Sequence, residues 1–174
     1  MAEKHLVRGI LAGIVGGLVA SWVMNEFQAG PGKALTQAVN TPEENAAAAQ
    51  QNPDEYQDAT MKTADTITEV VTGGRHLTWE QQKEGGPIVH YAFGALMGGL
   101  YGGLAEYCSL TKTGLGTGFG TALFAGSDVL GVPAFHLGPW PTEYPTHTLA
   151  TPYASHLVYG MTTEIVRRAV RKVL

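Results

Sequence analysis

The chain has 174 residues, with 11 basic and 15 acidic side chains for a formal net charge of −4, a length that suits one domain. Only 15% of its residues are charged and 23 are glycine, about twice ordinary glycine usage. No basic patch interleaved with aromatics is present, which argues against nucleic acid as a partner, and the single cysteine, Cys108, excludes an intramolecular disulfide and a cysteine-based zinc site.

The first apolar segment is GILAGIVGGLVASWVMN, Gly9 to Asn25, uncharged between Arg8 and Glu26. Lys4 and Arg8 precede it, so a cleaved signal peptide is the alternative, with Gln28-Ala29-Gly30 as a weak cleavage site. Two rows of small residues favour a retained membrane helix: Gly9, Gly13, Gly17 and Ser21, and beside them Ala12, Gly16 and Ala20. Such rows let a second helix approach closely, which a signal peptide does not need.

Residues 28–87 are polar and different in kind. Ala29-Gly30-Pro31-Gly32 is expected to break the helix, and Thr41-Pro42-Glu43-Glu44 to start another. Asn52-Pro53-Asp54-Glu55 is expected to begin a further helix that stops at Gly73-Gly74. Its Met61, Ala64, Ile67 and Val71 share one face, which is expected to lie against the membrane bundle or its surface.

A second apolar segment follows Gly85-Gly86-Pro87 and contains HYAFGALMGGLYGGLAE, His90 to Glu106. Here Gly94, Gly98 and Gly102 form one helical row, and Ala95, Gly99 and Gly103 the next. Each glycine costs a water-exposed helix about 1 kcal/mol relative to alanine. A bilayer forces the backbone to bond to itself, and close packing then favours glycine. After a short link with Lys112, the segment from Gly114 to Val132 carries the row Gly118, Ala122, Gly126 and is expected to be a third membrane helix. Gly116-x-Gly118-x-Gly120 lacks the preceding strand and the spacing of a dinucleotide loop. Residues 133–152 hold five prolines and no regular period, as expected of a rigid outer loop. The last segment, Tyr153 to Leu174, ends in the basic, amphipathic RRAVRKVL.

The predicted fold is all-α: one polytopic membrane domain over 1–174, with about four Gly-rich transmembrane helices at 7–27, 88–107, 114–132 and 153–173. A polar, partly helical insert covers 28–87. Four spans place both termini on one side, and the basic C-terminus with Lys4 and Arg8 makes that side cytoplasmic. Helix packing is assigned to Gly13, Gly17, Gly94, Gly98, Gly102, Gly118 and Gly126. Glu164 has Arg168 four residues on, the favourable order for a helical ion pair, and Arg8 is expected to meet Glu106.

Ionisable groups within a bilayer are costly and need a reason. In this topology Glu26, His90, Asp128, His136 and His156 fall near the outer ends of the spans and form a candidate cluster beneath the proline-rich loop. Imidazoles with a carboxylate suit a proton relay, a divalent metal or haem iron. No two of them have ligand spacing within one helix, and wet interfacial bonding explains each singly. No nucleophile elbow, phosphate loop or HExxH motif is present.

The pattern SHLVYGMTTEIVRRAVR, preceded by a proline-rich aromatic loop, resembles the closing helix of the YagU-like family of small bacterial inner-membrane proteins. The opening GILAGIVGGLVASWV and the second segment, through His90 and Ala105-Glu106, are similar to the same family; the insert 28–87 is not. The resemblance implies a multi-pass protein of the bacterial inner membrane and supplies no reaction or cofactor. The expected role is a structural or assembly subunit that packs in the lipid bilayer against itself or other membrane proteins. A proton- or ion-linked transporter or channel is the first alternative, and a haem- or metal-binding membrane protein the second.

Overall fold

The computed structural model describes residues 5–52 and 55–174, and the described residues form helices and turns with no strand. Helix α1 (Leu6–Phe27) lies antiparallel to α5 (Trp79–Tyr107), and α8 (Ala150–Arg171) packs on the other side of α1. A shorter helix, α6 (Thr117–Phe124), completes the bundle against α8. The start of α1 meets the ends of α5 and α8, because Glu106 accepts both the His5 amide and the Arg171 guanidinium. Helices α1, including the turns that continue it to Val39, and α5 are each long and apolar enough to cross a membrane.

The α1–α5 seam is built from the predicted glycines. A Cβ at Gly13 would stand 2.9 Å from Gly102 Cα, and one at Gly98 only 2.7 Å from Gly17 Cα. Gly94 lies against the backbone of Gly17 and the Ser21 hydroxyl. No side chain fits between these backbones, so the helices touch main chain to main chain. A second seam of the same kind joins α6 to α8, where Gly116 and Gly120 meet Gly160 and the His156 carbonyl. Gly118 and Gly126, the glycines assigned to this segment from the sequence, have no described atom within 4 Å of where a Cβ would be. The helical row there is offset by two residues, because the contact face is set by α8 rather than by the longest run of small residues.

Several boundaries differ from expectation for identifiable reasons. The helix does not break at 29–32; it passes through a π turn, Gln28–Gly32, into α2 (Lys33–Val39). Pro31 has no N–H to place in an α ladder, and the hydroxyls of Thr36 and Thr151 satisfy the Gly32 carbonyl at 3.1 and 3.4 Å. Helix α3 (Pro42–Gln50) starts where predicted, on a capping box between Thr41 and Glu44. The next, α4 (Ala59–Thr72), starts later than Asn52 because Asp58 caps it, accepting from the amides of Thr60 and Met61 at 2.8 and 2.9 Å. It stops at Gly73 in the left-handed conformation, as expected.

On α4 only Met61 and Ala64 are buried, while Ile67 and Val71 face outward. The helix packs on the first turns of α5, which begins at Trp79 rather than after Pro87. A Thr78–Gln81 capping box nucleates those turns, and Gly85 and Gly86 lie against Ala64 and Met61. The predicted third helix begins a few residues late, after 3-10 turns over Ser109–Gly116, and then runs without a break through α6, a π segment Ala125–Gly131 and the single turn α7 (Val132–Ala134). Pro133, which has no N–H to give an α ladder, follows two glycines in seven residues, and the helix passes them in the wider π form. Residues 133–152 are mostly turns, with one 3-10 turn at Thr146–Leu149 before α8.

Gly13→Ala is expected to force α1 off α5 and cost about 1–3 kcal/mol. Gly118→Ala meets open space and should leave stability unchanged or raise it by up to about 1 kcal/mol. Thermal unfolding of both variants under one condition checks the contrast.

Candidate functional site

Large aliphatic residues do not fill the interior. The largest fully buried side chains include Tyr101, Glu164, Thr163, Ser21 and Ser155. One face of α8 supplies most of this polarity, with His156, Tyr159, Thr163, Glu164 and Arg167 recurring at helical spacing, all buried. Tyr159 donates to the Gly94 carbonyl at 2.6 Å, tying α8 to the α1–α5 seam.

At one end of the bundle, Glu164 is 0% exposed and holds three donors. Arg167 grips it from Nε at 2.7 Å and from Nη2 at 3.1 Å, Arg168 adds a bond at 2.6 Å, and the Tyr101 hydroxyl adds one at 2.9 Å. The predicted Glu164–Arg168 pair is therefore present, but Arg167 is the more buried partner. Tyr101 also stacks on Phe119 with ring centroids 4.5 Å apart, so one side chain links α5, α6 and α8. Beside this cluster Arg171 holds Glu106 at 2.8 and 3.2 Å. The expected Arg8–Glu106 pair is not formed; Arg8 faces outward, and the α8 arginine reaches Glu106 instead. This concentration of charge has its hydrogen bonds satisfied, which is what allows it to be buried.

Toward the other end, the five predicted outer residues do not converge. His156 and Asp128 meet, with Nε2 3.2 Å from Oδ2. His156 Nδ1 faces the Pro152 carbonyl at 2.9 Å, and Ser127 donates to Asp128 at 2.6 Å. His90 instead faces the Ser21 carbonyl at 3.3 Å. Glu26 is exposed, and His136 is exposed on a residue with φ of 58°. His136 lies just past the last helical turn, α7, in the turns that open the proline-rich loop, and does not reach His156. Among the described residues no three His, Cys, Asp or Glu side chains group as a metal site. Burial and the Asp128 carboxylate raise the Tyr144 phenol above its ordinary value, which places Tyr144 within the field of the pair.

Two contacts absent from the sequence reading attach the polar insert to the proline-rich loop. Glu44 receives His147 at 3.1 Å, and Thr36 bonds Thr151 at 2.7 Å. The Thr41 amide, and then His147, hold the Glu44 carboxyl below its ordinary value. Within the insert, Asp65 accepts from the Leu77 amide at 2.6 Å and faces His76 Nδ1 at 3.0 Å. The Leu77 amide and then His76 lower Asp65, while the Asp65 hydrogen bond and then its charge raise His76. The Glu44–His147 and Thr36–Thr151 partners lie more than 100 residues apart, so no local motif announces them.

On the α1–α5 face that looks away from α8 lies an apolar groove of about 450 Å³, lined by residues that include Ile10, Ile14, Gly99, Gly103 and Leu104. Compared with family models, curated proteins and solved structures, the chain matches none.

Glu164→Gln strands the buried Arg167 and is expected to cost about 3–5 kcal/mol. Tyr101→Phe removes one donor of several and should cost about 1 kcal/mol. Unfolding of the two variants under one condition checks the ranking, and equal losses would contradict it. The His76–Asp65 contact has a definite pH signature. Raised His76 stabilises below its ordinary 6.5 and loses that contribution as pH climbs through its folded value. Lowered Asp65 stabilises above its ordinary 3.8 and loses its contribution as pH falls through its folded value. The α4–α5 hairpin should therefore be firmest between those two ordinary values. NMR titration should find His76 above 6.5 in the wild type and back near it in Asp65→Asn.

Proposed function

We propose that this chain is a multi-pass protein of the bacterial inner membrane that serves as a structural or assembly subunit, held together by glycine-mediated helix packing. One observation carries the reading: the distribution of residue types is the reverse of a water-soluble fold. Small and polar side chains occupy the interior, while Leu11, Val15, Leu18 and Trp22 of α1 face outward, with Trp22 55% exposed. On α5 the outward row is Phe93, Leu96, Leu100, Leu104 and Tyr107, with Leu104 59% exposed. Water would penalise two such adjoining rows, whereas hydrocarbon accepts them at no cost. The buried polar face of α8 then has its natural explanation, since polar groups in lipid must turn inward and find partners.

The four-span topology extends this reading. Helices α1 and α5 meet the length and composition required. The α6–α7 path and α8 would cross while covered on one side by their neighbours, and both termini would lie on the cytoplasmic side with Arg168, Arg171 and Lys172 at the headgroups. The likeness of the α8 segment to the YagU-like family supports the same compartment. A role by assembly rather than catalysis accords with an interior occupied by structural bonds. The partner is a second copy or another membrane protein, and the bilayer itself.

The protein is expected to stay with membranes through alkaline carbonate extraction and to enter solution only with detergent. Recovery of monodisperse protein without detergent would falsify the reading. Exposed Cys108, at the C-terminal end of α5, should resist an impermeant maleimide added to intact cells from the periplasmic side and react in inverted membranes. Labelling in the opposite order would reverse the proposed orientation.

A further inference from the structure

We propose that the α1–α5 face turned away from α8 is the contact between two copies of this chain, packed side by side about a two-fold axis that runs along the helices. The proposal rests on the membrane reading and narrows its partner to one. On this face the apolar groove has Gly99 and Gly103 on its floor and Ile10 and Ile14 of α1 along one wall. Leu96, Leu100 and Leu104 of α5 form the other wall. Four-residue spacing makes these leucines a ridge, and they are 58%, 54% and 59% exposed. Ridge and groove therefore run side by side over the same turns of one helix. A two-fold axis between them sets the ridge of each copy into the groove of the other, the self-complementary arrangement that a symmetric dimer requires.

Two further properties single out a second copy. Rotation about a two-fold places residues near the axis opposite themselves, so a charged side chain there would face its own like charge. Among the described residues no acidic or basic side chain lines the groove. The area is also sufficient. Leu6 and Tyr107 extend the face and are 48% and 57% exposed. With them, the ridge and groove walls offer on the order of 600 Å² of apolar surface per copy, or about 1,200 Å² for the pair, where the range of stable interfaces begins.

Lipid is the competing occupant. Acyl chains that follow the groove lose conformational freedom, whereas a leucine ridge fixed on a helix enters it already ordered and frees them. The floor glycines fit this use. The nearest atoms to a Cβ built at Gly99 or Gly103 are side-chain atoms of Ile14 and Ile10, at 3.0 and 3.1 Å. At Gly98 and Gly102 the nearest are backbone atoms of α1. The seam within one copy therefore demands Gly98 and Gly102 more strictly than Gly99 and Gly103, and what the latter pair provides is the depth of the groove.

The test uses the lone thiol, Cys108, which lies at the end of the groove. Both copies insert with the same orientation, so the two thiols come to the same end of the dimer. A short bifunctional maleimide applied to inverted membranes should join two full-length chains. Leu100→Ala combined with Leu104→Ala lowers the ridge without touching the interior. This variant should lose the crosslinked product, and energy transfer between labelled copies in lipid vesicles should show a dimer weakened about tenfold or more. Leu130→Ala, at a residue 58% exposed on the π segment, should change neither readout. Absence of crosslinking, a monomer at every protein-to-lipid ratio, or a dimer indifferent to the loss of both leucines would each overturn the proposal. Carbonate extraction separates that failure from failure of the membrane reading: protein that stays with the membrane yet remains monomeric removes the dimer alone.

Discussion

Everything in this bundle is arranged around the absence of side chains along the α1–α5 seam. Gly13, Gly17, Gly94, Gly98 and Gly102 bring two backbones into contact over several turns. Dispersion between main-chain atoms then does the work that leucine packing does in a soluble bundle, and it does so only while no Cβ intervenes. A consequence is that the large apolar side chains have no interior to fill. They are displaced to the outer surface, where Leu11, Trp22, Leu96 and Leu104 stand. Glycine content, helix spacing and the outward apolar rows are therefore one feature seen from three sides.

A thin, small-residue seam leaves the specification of the fold to polar contacts. Glycine rows are nearly symmetric along a helix and would tolerate slippage by a turn. The buried bonds do not. Tyr159 reaches the Gly94 carbonyl, Tyr101 reaches Glu164, and Arg171 reaches Glu106. A shift of one turn along α5 would separate all three pairs, and each buried group left without its partner is costly. Close approach supplies proximity, and the ion pairs and phenols fix the register.

Much of this was legible from the sequence where local spacing carries the information. Gly13, Gly17, Gly94, Gly98 and Gly102 declare themselves as rows, Thr41 with Glu44 as a helix start, Gly73 as a stop, and Glu164 with Arg168 as a pair one turn apart. Legibility failed where tertiary context overrode local preference. Pro31 and Pro87 read as breaks, yet a π turn carries the helix past the first and α4 covers the turns before the second. Gly118 and Gly126 have the right spacing on the wrong face, because Gly160 on a distant helix decides which glycines matter. The histidine cluster was assembled from positions along idealised spans. A π segment and turns between Asp128 and His136 then carried one residue to His156 and the other to the surface.

The order of the elements along the chain has an implication for how the protein is made. Helices α1 and α5 can pair as soon as both have left the ribosome, and that hairpin already contains the complete glycine seam. Tyr101 and Glu106 within it nevertheless wait for Glu164 and Arg171, and the Gly116–Gly120 face of α6 waits for Gly160. Until α8 is synthesised, the nascent protein is an early hairpin in which the Tyr101 phenol lacks its acceptor and Glu106 holds only the His5 amide. Any factor that shields unpaired polar groups has its longest task during that interval, and the arrival of α8 ends it.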